Sequence, residues 1–548
     1  MIPLVHRFVT RAQEAPDTLA FAVYARGDTR ASASMTWGAW YEASRALAVH
    51  LLHTGVAAGD RVAILAPNRP LWPIADLALQ MIGAIGVGIF PGSAASQIDA
   101  LITDSGARLT ITADETVFDA MMANGRALLA TDDTSRDALD ARLSAVRLDD
   151  LAAIIYTSGS TGIPKGACLS HRYLAASAVS IVDVLGLTAA DRVLSFLPFS
   201  HAAERVFGQC TRLLTGMTAA LIEDPADVFP VAADFEPTLL GGLPRIFERL
   251  HEAVEVARRD GADPKAAIAA RIGRHCRLAT SGGAAMPVDV AEQLAELGLP
   301  IVGAYGQTEH LCIAMNRPSR VRFDTVGEPM PGTTVRIADD GELLVARGPL
   351  TFSGYWGKAE ETRAAFTDDG AWLHTGDRAE QAPDGSLRIT GRLKEILALS
   401  NGRKVAPAPI EAALNASPFI AHAVCHGEGR RFLSALLSPR QTVVEAWARR
   451  EGIETPWPAL LTHPQVQAVF TEAVSRVNRD LARTDRVQRF VVIEHELSVE
   501  DGTLTPTLKV MRHVIADRFA PLFDALYARD AGPQTAGLAA PEHSTRNA

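Results

Sequence analysis

Residues Tyr156 to Gly166 read YTSGSTGIPKG, three glycines and five hydroxyl side chains around a single lysine. Glycine lets successive backbone N–H groups turn into one concavity and keeps side chains away from a close anion, and Lys165 adds a movable cation. Thr157, Ser158, Gly159, Ser160, Thr161, Gly162 and Lys165 are therefore candidates for holding the polyphosphate tail of a nucleotide. The pattern is not the mononucleotide loop GxxxxGK[ST], because Pro164 precedes Lys165 and Gly166 follows it. The apolar run Leu151 to Tyr156 predicts a buried strand entering the loop, and Leu169 to Val184 a helix leaving it. By composition alone, the same stretch also fits a flexible linker.

The elements that must position such a loop come from a long chain. At 548 residues, 48% hydrophobic and 21% charged, it predicts a folded protein of two or more domains. A formal net charge of -10 speaks against a nucleic-acid partner, which calls for a clustered basic face. The five cysteines are widely spaced, without a CxxC pair, and read as small buried hydrophobes in a reducing cytoplasm. The N-terminal MIPLVHRFVTRAQEAPD turns polar at once and does not read as an export signal. Leu71 to Phe90, the most apolar stretch, contains Asp76 and Gln80 and reads as core, not as a membrane span.

From about Met35 to Asp234 helical patterns alternate with short runs such as RVAILAP at Arg61 to Pro67 and ARLTITA at Ala107 to Ala113, which predicts α/β layers. Thr333 to Ile337 and Gly341 to Ala346 predict a hairpin in a small β-rich subdomain, joined by Asp-Asp-Gly. Beyond Thr390, LSALLSP at Leu433 to Pro439 and RFVVIEH at Arg489 to His495 alternate with charged helices, an α+β pattern. After about Asp530 the composition predicts a disordered tail.

Further short motifs follow the glycine-rich loop: SGGAAMP at Ser281 to Pro287, GAYGQTE at Gly303 to Glu309, HTGD at His374 to Asp377, GRLKE at Gly391 to Glu395 and LTPTLK at Leu504 to Lys509. In order and spacing, from about Phe21 to Phe519, they resemble the acyl-adenylate-forming superfamily of acyl-CoA synthetases, luciferases and peptide-synthetase adenylation domains. LPFSHAAER at Leu197 to Arg205, GLPRIFERLHEAV at Gly242 to Val254 and LTPTLKVMR are most similar to the long-chain fatty acyl-CoA synthetases. The resemblance and the element pattern imply an α/β fold. A large N-terminal domain (1–390) of layered α/β subdomains with a small β-rich subdomain is expected. A hinge (391–395), a small mobile α+β C-terminal domain (396–528) and the tail (529–548) follow.

The activity implied is ATP-dependent acyl-CoA synthesis. A carboxylic acid, preferably a medium- to long-chain fatty acid, and ATP give acyl-AMP and pyrophosphate, and coenzyme A then gives acyl-CoA and AMP. Peripheral contact with a membrane would suit a lipid substrate. A carrier protein as acceptor, or an aryl carboxylate as substrate, are the alternatives. The resemblance implies that Lys509 bridges the carboxylate and the α-phosphate, that Glu309 and Thr157 hold Mg²⁺, and that Thr308 donates to the α-phosphate. Tyr305 would stack on adenine, with Gly306 and Gln307 beside it and Gly282, Gly283 and Ala284 along the base. Asp377 would accept from the ribose hydroxyls and Arg392 donate to ribose or phosphate. Lys394 would be the hinge, and Asn401, Gly402 and Arg403 would lie in the pantetheine loop, Leu399 to Val405. His201 would stand beside the substrate carboxylate. Singly, these residues have commoner uses: Thr308 and Glu309 as a helix cap and first-turn acid, Asp377 in a turn, Tyr305 in a core, Lys509 on a surface. Two departures from the family pattern stand out: Ser160 where many relatives have threonine, and Asn401-Gly402 where many have two glycines, asparagine being tolerant of positive φ.

Overall fold

The structure, a computed structural model, describes residues 1–157, 164–505, 509–528 and 537–539. Ser158, Gly159, Ser160, Thr161 and Gly162 lie outside the described residues, as does the side chain of Lys394. The chain divides into two units: Met1–Thr375 with Gln381–Arg388, and Gly376–Glu380 with Ile389–Ala548. The segment Gly376–Glu380, which carries Asp377, thus groups with the second unit and not with the expected 1–390 domain.

In the first unit, short apolar runs bounded by glycine, proline or polar residues become strands of two sheets. Nine strands form one, in the spatial order Glu328–Pro329, His310–Met315, Ile301–Gln307, Leu278–Gly282, Leu239–Gly242, Arg192–Ser195, Thr218–Ile222, Leu19–Tyr24 and Ala33–Thr36. It is parallel from Ile301–Gln307 to Leu19–Tyr24 and antiparallel at both edges. The other has the order Gly354–Tyr355, Lys165–Ser170, Leu151–Thr157, Ile85–Ile89, Arg61–Leu65 and Leu109–Thr112. Helices cover these sheets, as the alternating pattern predicts. The Asp-Asp-Gly turn joins Val335–Ile337 antiparallel to Glu342–Ala346.

One local expectation fails where it matters. The chain does not pass from the glycine-rich loop into a helix: Lys165–Ser170 is a strand antiparallel to Leu151–Thr157, and the helix His171–Leu185 begins only after it. Ser170 marks that start, its hydroxyl accepting from the Tyr173 N–H at 3.1 Å. The described residues on either side of the loop, Thr157 and Lys165, are thus paired strand residues.

The second unit contains the hairpin Leu397–Ala398 with Lys404–Val405, and a sheet ordered Ile420–His426, Leu433–Pro439, Val487–Val492, Gly537–Ala539. Helices Pro407–Asn415 and Pro464–Asp480 contribute buried faces to its core. The backbone of Gly537–Ala539 adds parallel to Val487–Val492, so the tail expected from 529 is not wholly without structure; the open edge of that strand supplies the N–H and C=O groups it pairs with. Among the described residues no helix is long and apolar enough to cross a membrane. Cys168, Cys210, Cys312 and Cys425 are buried and Cys276 partly so. Burial pushes the thiols of Cys168, Cys210, Cys276 and Cys312 up to about 12, and that of Cys425 well above its ordinary value.

Leu71–Met81 is buried along its whole length, and its polar residues meet a π-helix, Glu204–Cys210, directly after His201. Asp76 pairs with Arg205 and accepts from Gln80 at 2.9 Å and Gln209 at 2.6 Å. Glu204 folds back over Gly208, where a Cβ would lie 2.0 Å from its Oε1, and accepts from the Ser195 hydroxyl at 2.5 Å. Arg212 is buried over Trp40 and Phe21, and burial pushes its guanidinium down to about 10. Burial likewise pushes the Glu204 carboxyl up to about 7, partly offset by the Ser195 hydroxyl and the Arg212 charge. A raised carboxyl binds its proton more tightly folded than unfolded. Its contribution to stability is full below the unfolded value of 4.5 and is lost as pH rises through about 7. Urea unfolding should show wild type losing about 1–3 kcal/mol relative to Glu204→Gln between these limits; parallel stability curves would show that Glu204 does not titrate there.

Candidate active site

Thr157 and Lys165 face each other across the hairpin, with Thr157 Oγ1 3.4 Å from the Lys165 carbonyl oxygen. The Lys165 ammonium lies over the Tyr355 ring, 5.2 Å from its centroid, a cation–π contact. Tyr355 reaches this place because Gly354–Tyr355 pairs antiparallel with Ala167 and Cys168. Its phenol donates to Glu309 Oε1 at 2.6 Å. Burial first, then the Glu309 charge, holds the phenolic proton on far above the ordinary tyrosine range, so Tyr355 remains a donor.

Thr308 and Glu309 form the short link between Ile301–Gln307 and His310–Met315, where Gln307 pairs with His310. They are not a helix cap. Only glycine fits at 306, since a Cβ there would stand 1.8 Å from the Leu311 carbonyl oxygen. The buried Tyr173 hydroxyl donates to the Thr308 carbonyl at 2.9 Å and accepts from the Leu311 N–H at 3.1 Å, while the Phe352 N–H donates to the Glu309 carbonyl at 2.9 Å. His310 adds no charge beside Glu309: burial pushes its imidazole down to about 4, and Nε2 lies 3.0 Å from the Thr333 hydroxyl.

Gly282 ends the strand next to Ile301–Gln307, opposite Ala304, and Gly283, at φ 80°, turns the chain toward Ala284. Tyr305 and Gln307 are partly buried on the neighbouring strand. Buried Ser281 Oγ and Gln307 Nε2 have no hydrogen-bond partner among the described residues. Orphaned polar atoms beside small residues and an aromatic ring fit a flat ligand with hydrogen-bonding edges, such as a purine. The Glu309 carboxylate and Thr157 hydroxyl are hard oxygen donors that, with phosphate oxygens and water, fit Mg²⁺. Among the described residues no group of three or more His, Cys, Asp or Glu side chains forms a cage for a metal ion.

His201 sits on a turn, its N–H donating to the Pro198 carbonyl at 2.9 Å and its Nδ1 accepting from the Ala203 N–H at 3.2 Å. Two contacts fix that turn. Asn68 donates to the Leu197 carbonyl at 2.8 Å, and Gly88 admits Ser200, whose Cα would lie 2.8 Å from a Cβ at 88.

The second unit holds the other candidates. Buried Asp377 pairs with Arg392 Nε at 3.0 Å, so the two residues expected at the ribose meet each other. Lys394 lies in the 3-10 turn Leu393–Glu395. In the turn of the next hairpin the positive φ, 79°, falls on Gly402 and not on Asn401, whose side chain accepts from the Arg403 N–H at 2.9 Å. Arg403 forks onto Asp485 at 2.9 and 2.8 Å. Lys509 is exposed on the return leg of a short hairpin, its N–H donating to Thr505 Oγ1 at 3.0 Å. Reading the sequence missed Tyr355 and Tyr173. Their signal is spatial, since each builds the site through partners 46 and 135–138 residues away.

Comparison with known proteins gives a family model described as AMP-binding enzyme over residues 8–356, and one described as AMP-binding enzyme C-terminal domain over 394–531. The chain is 32% identical to the long-chain-fatty-acid–CoA ligase FadD15 of Mycobacterium bovis, over 89% of this chain and 91% of that one. It is 29% identical to human long-chain-fatty-acid–CoA ligase 1 over 69% of this chain and 61% of that one. Among solved structures, the anthranilate CoA ligase AuaEII in complex with anthranoyl-AMP matches with a TM-score of 0.73 at 21% identity, covering 96% of this chain and 98% of that one. The A domain of carboxylic acid reductase from Segniliparus rugosus matches with 0.75 at 21% identity, covering 97% and 95%.

Tyr355→Phe removes one charge-assisted hydrogen bond from Glu309. It should weaken Mg²⁺-dependent ATP binding about tenfold, read by calorimetric titration with and without the ion. Unchanged binding would show that the phenol does not orient the carboxylate.

Proposed function

The chain belongs to the AMP-binding enzyme family, and from that premise we propose that it is an ATP-dependent, AMP-forming acyl-CoA ligase acting on a medium- to long-chain fatty acid. The observation that carries the reading is the 32% identity to a long-chain-fatty-acid–CoA ligase across nine-tenths of both chains. In the first half-reaction a carboxylate oxygen attacks the α-phosphorus of ATP, the bond to the β-phosphate bridging oxygen breaks, and pyrophosphate leaves. In the second the thiol sulfur of coenzyme A attacks the acyl carbon, its proton passes to solvent, and AMP leaves with the anhydride oxygen.

Both reactants of the first step are anions, so the chemistry needs positive charge and hydrogen-bond donors aimed at the developing negative charge. Lys165 serves the phosphate tail, and the Tyr355 ring under its ammonium limits where that charge can stray. Mg²⁺, held by Glu309 and Thr157, would neutralise phosphate charge. Thr308 donates to the α-phosphate, Tyr305 stacks on the base, and Asp377 and Arg392 serve the ribose. Lys509 bridges carboxylate and α-phosphate in the adenylation step. Rotation at Lys394 then withdraws Lys509 and brings the loop of Asn401, Gly402 and Arg403 to the pantetheine arm. His201 stands beside the substrate carboxylate.

Pyrophosphate release should be greatest with fatty acids in a panel that includes aryl acids, and acyl-CoA should accumulate with free coenzyme A. Faster transfer to a carrier protein's pantetheine would instead favour the carrier alternative, and a preference for aryl acids would overturn the fatty-acid assignment. Lys509→Ala should lower adenylation at least about a hundredfold while sparing thioester formation from supplied acyl-AMP; an equal fall in both half-reactions would overturn the two-conformation scheme.

A further inference from the structure

We infer that Arg512 is the positioning residue for Lys509, fastening the lysine-bearing hairpin to the hinge turn and to the core of the second unit. The inference rests on the role proposed above for Lys509. The hairpin is too small to hold itself. Leu504 bridges Val510, the Thr505 N–H donates to the Lys509 carbonyl at 2.8 Å, and the Met511 N–H donates to the Thr503 carbonyl at 2.9 Å. One leg is held at its base, where the Thr503 N–H donates to Asp501 at 2.9 Å and Arg518 pairs with Asp501 at 3.2 Å.

The other leg, which carries Lys509, runs straight into Arg512. Its guanidinium places both terminal nitrogens on the Glu411 carboxylate, Nη1 at 2.8 Å from Oε1 and Nη2 on Oε2, and its Nε 3.3 Å from Glu395 Oε2. Glu411 is itself anchored: it is buried on helix Pro407–Asn415 and accepts from the Cys425 N–H at 2.6 Å. Glu395 ends the 3-10 turn Leu393–Glu395, inside the expected hinge. One planar fork, three residues after Lys509, thus joins the lysine's hairpin to the sheet core and to the turn about which the unit would rotate. Arginine suits this place because its donors are fixed in a plane, so the pair specifies orientation as well as proximity, which a lysine ammonium cannot do. The two carboxylates keep the guanidinium charged despite its burial.

The consequence is that the lysine swings with the hinge instead of with its own loop. In the full-length enzyme, Arg512→Ala and Arg512→Lys should each lower adenylation, read as pyrophosphate release, at least about tenfold, because misplacing a reacting group by an ångström is that costly. Both should leave thioester formation from supplied acyl-AMP within about threefold of wild type. Glu395→Gln, which loosens only the hinge contact, should show the same split more weakly and keeps the test alive if Arg512→Ala folds poorly. Equal loss in both half-reactions would mark Arg512 as a stability residue only, and undiminished adenylation in the folded Arg512 variants would also overturn the inference. If Lys509→Ala itself spared adenylation, the fault would lie with the role given to Lys509.

Discussion

The hydrogen bond from the Tyr355 phenol to Glu309 joins two sheets that share no strand. Tyr355 lies on an edge strand of the six-stranded sheet, and Glu309 on the link between two strands of the nine-stranded one. The Phe352 amide on the Glu309 carbonyl and the Tyr173 hydroxyl on the Thr308 carbonyl repeat the connection. A carboxylate at such a seam must be held in place, and a phenol that keeps its proton does this by directing one oxygen. Lys165, stacked on the same ring, belongs to the same assembly, so the lysine that follows the glycine-rich loop and the carboxylate of Glu309 are referenced to one aromatic side chain.

The α/β layering could be read from the chain because it depends on local period. Arg61–Leu65 and Leu433–Pro439 fall within or upon the predicted runs, and Leu151–Thr157 extends the predicted Leu151 to Tyr156 by one residue. The strand Lys165–Ser170 could not, since lysine and glycine at its start carry loop composition and its extended form comes from pairing with Leu151–Thr157. The π-helix Glu204–Cys210 was equally hidden: ERVFGQC looks like ordinary helix, and within it Glu204 packs over Gly208, a contact that no period reveals. Motif residues announced themselves by type and order, whereas those that orient them did not. Glu395 and Glu411 reach Arg512 from 117 and 101 residues away, distances over which no periodicity speaks.

Both units place ionisable side chains where apolar packing would be cheaper. Buried ion pairs add little net stability, because desolvation offsets most of their attraction, but they tolerate few geometries. Asp76 with Arg205 lies beneath the segment carrying His201, and Glu411 with Arg512 lies behind the hairpin carrying Lys509. Each network trades stability for a fixed placement of the segment beside it.

The cysteines, structurally quiet, have a practical consequence. All five thiols are at least partly covered, and burial pushes those of Cys168, Cys210, Cys276 and Cys312 up to about 12 and that of Cys425 well above its ordinary value, which disfavours the thiolate at neutral pH. The native cysteines should therefore react slowly with maleimide dyes. A fluorophore pair attached through two engineered surface cysteines, one per unit, would read the rotation proposed at Lys394 as a change in energy transfer, with no need to strip the native sulfur first.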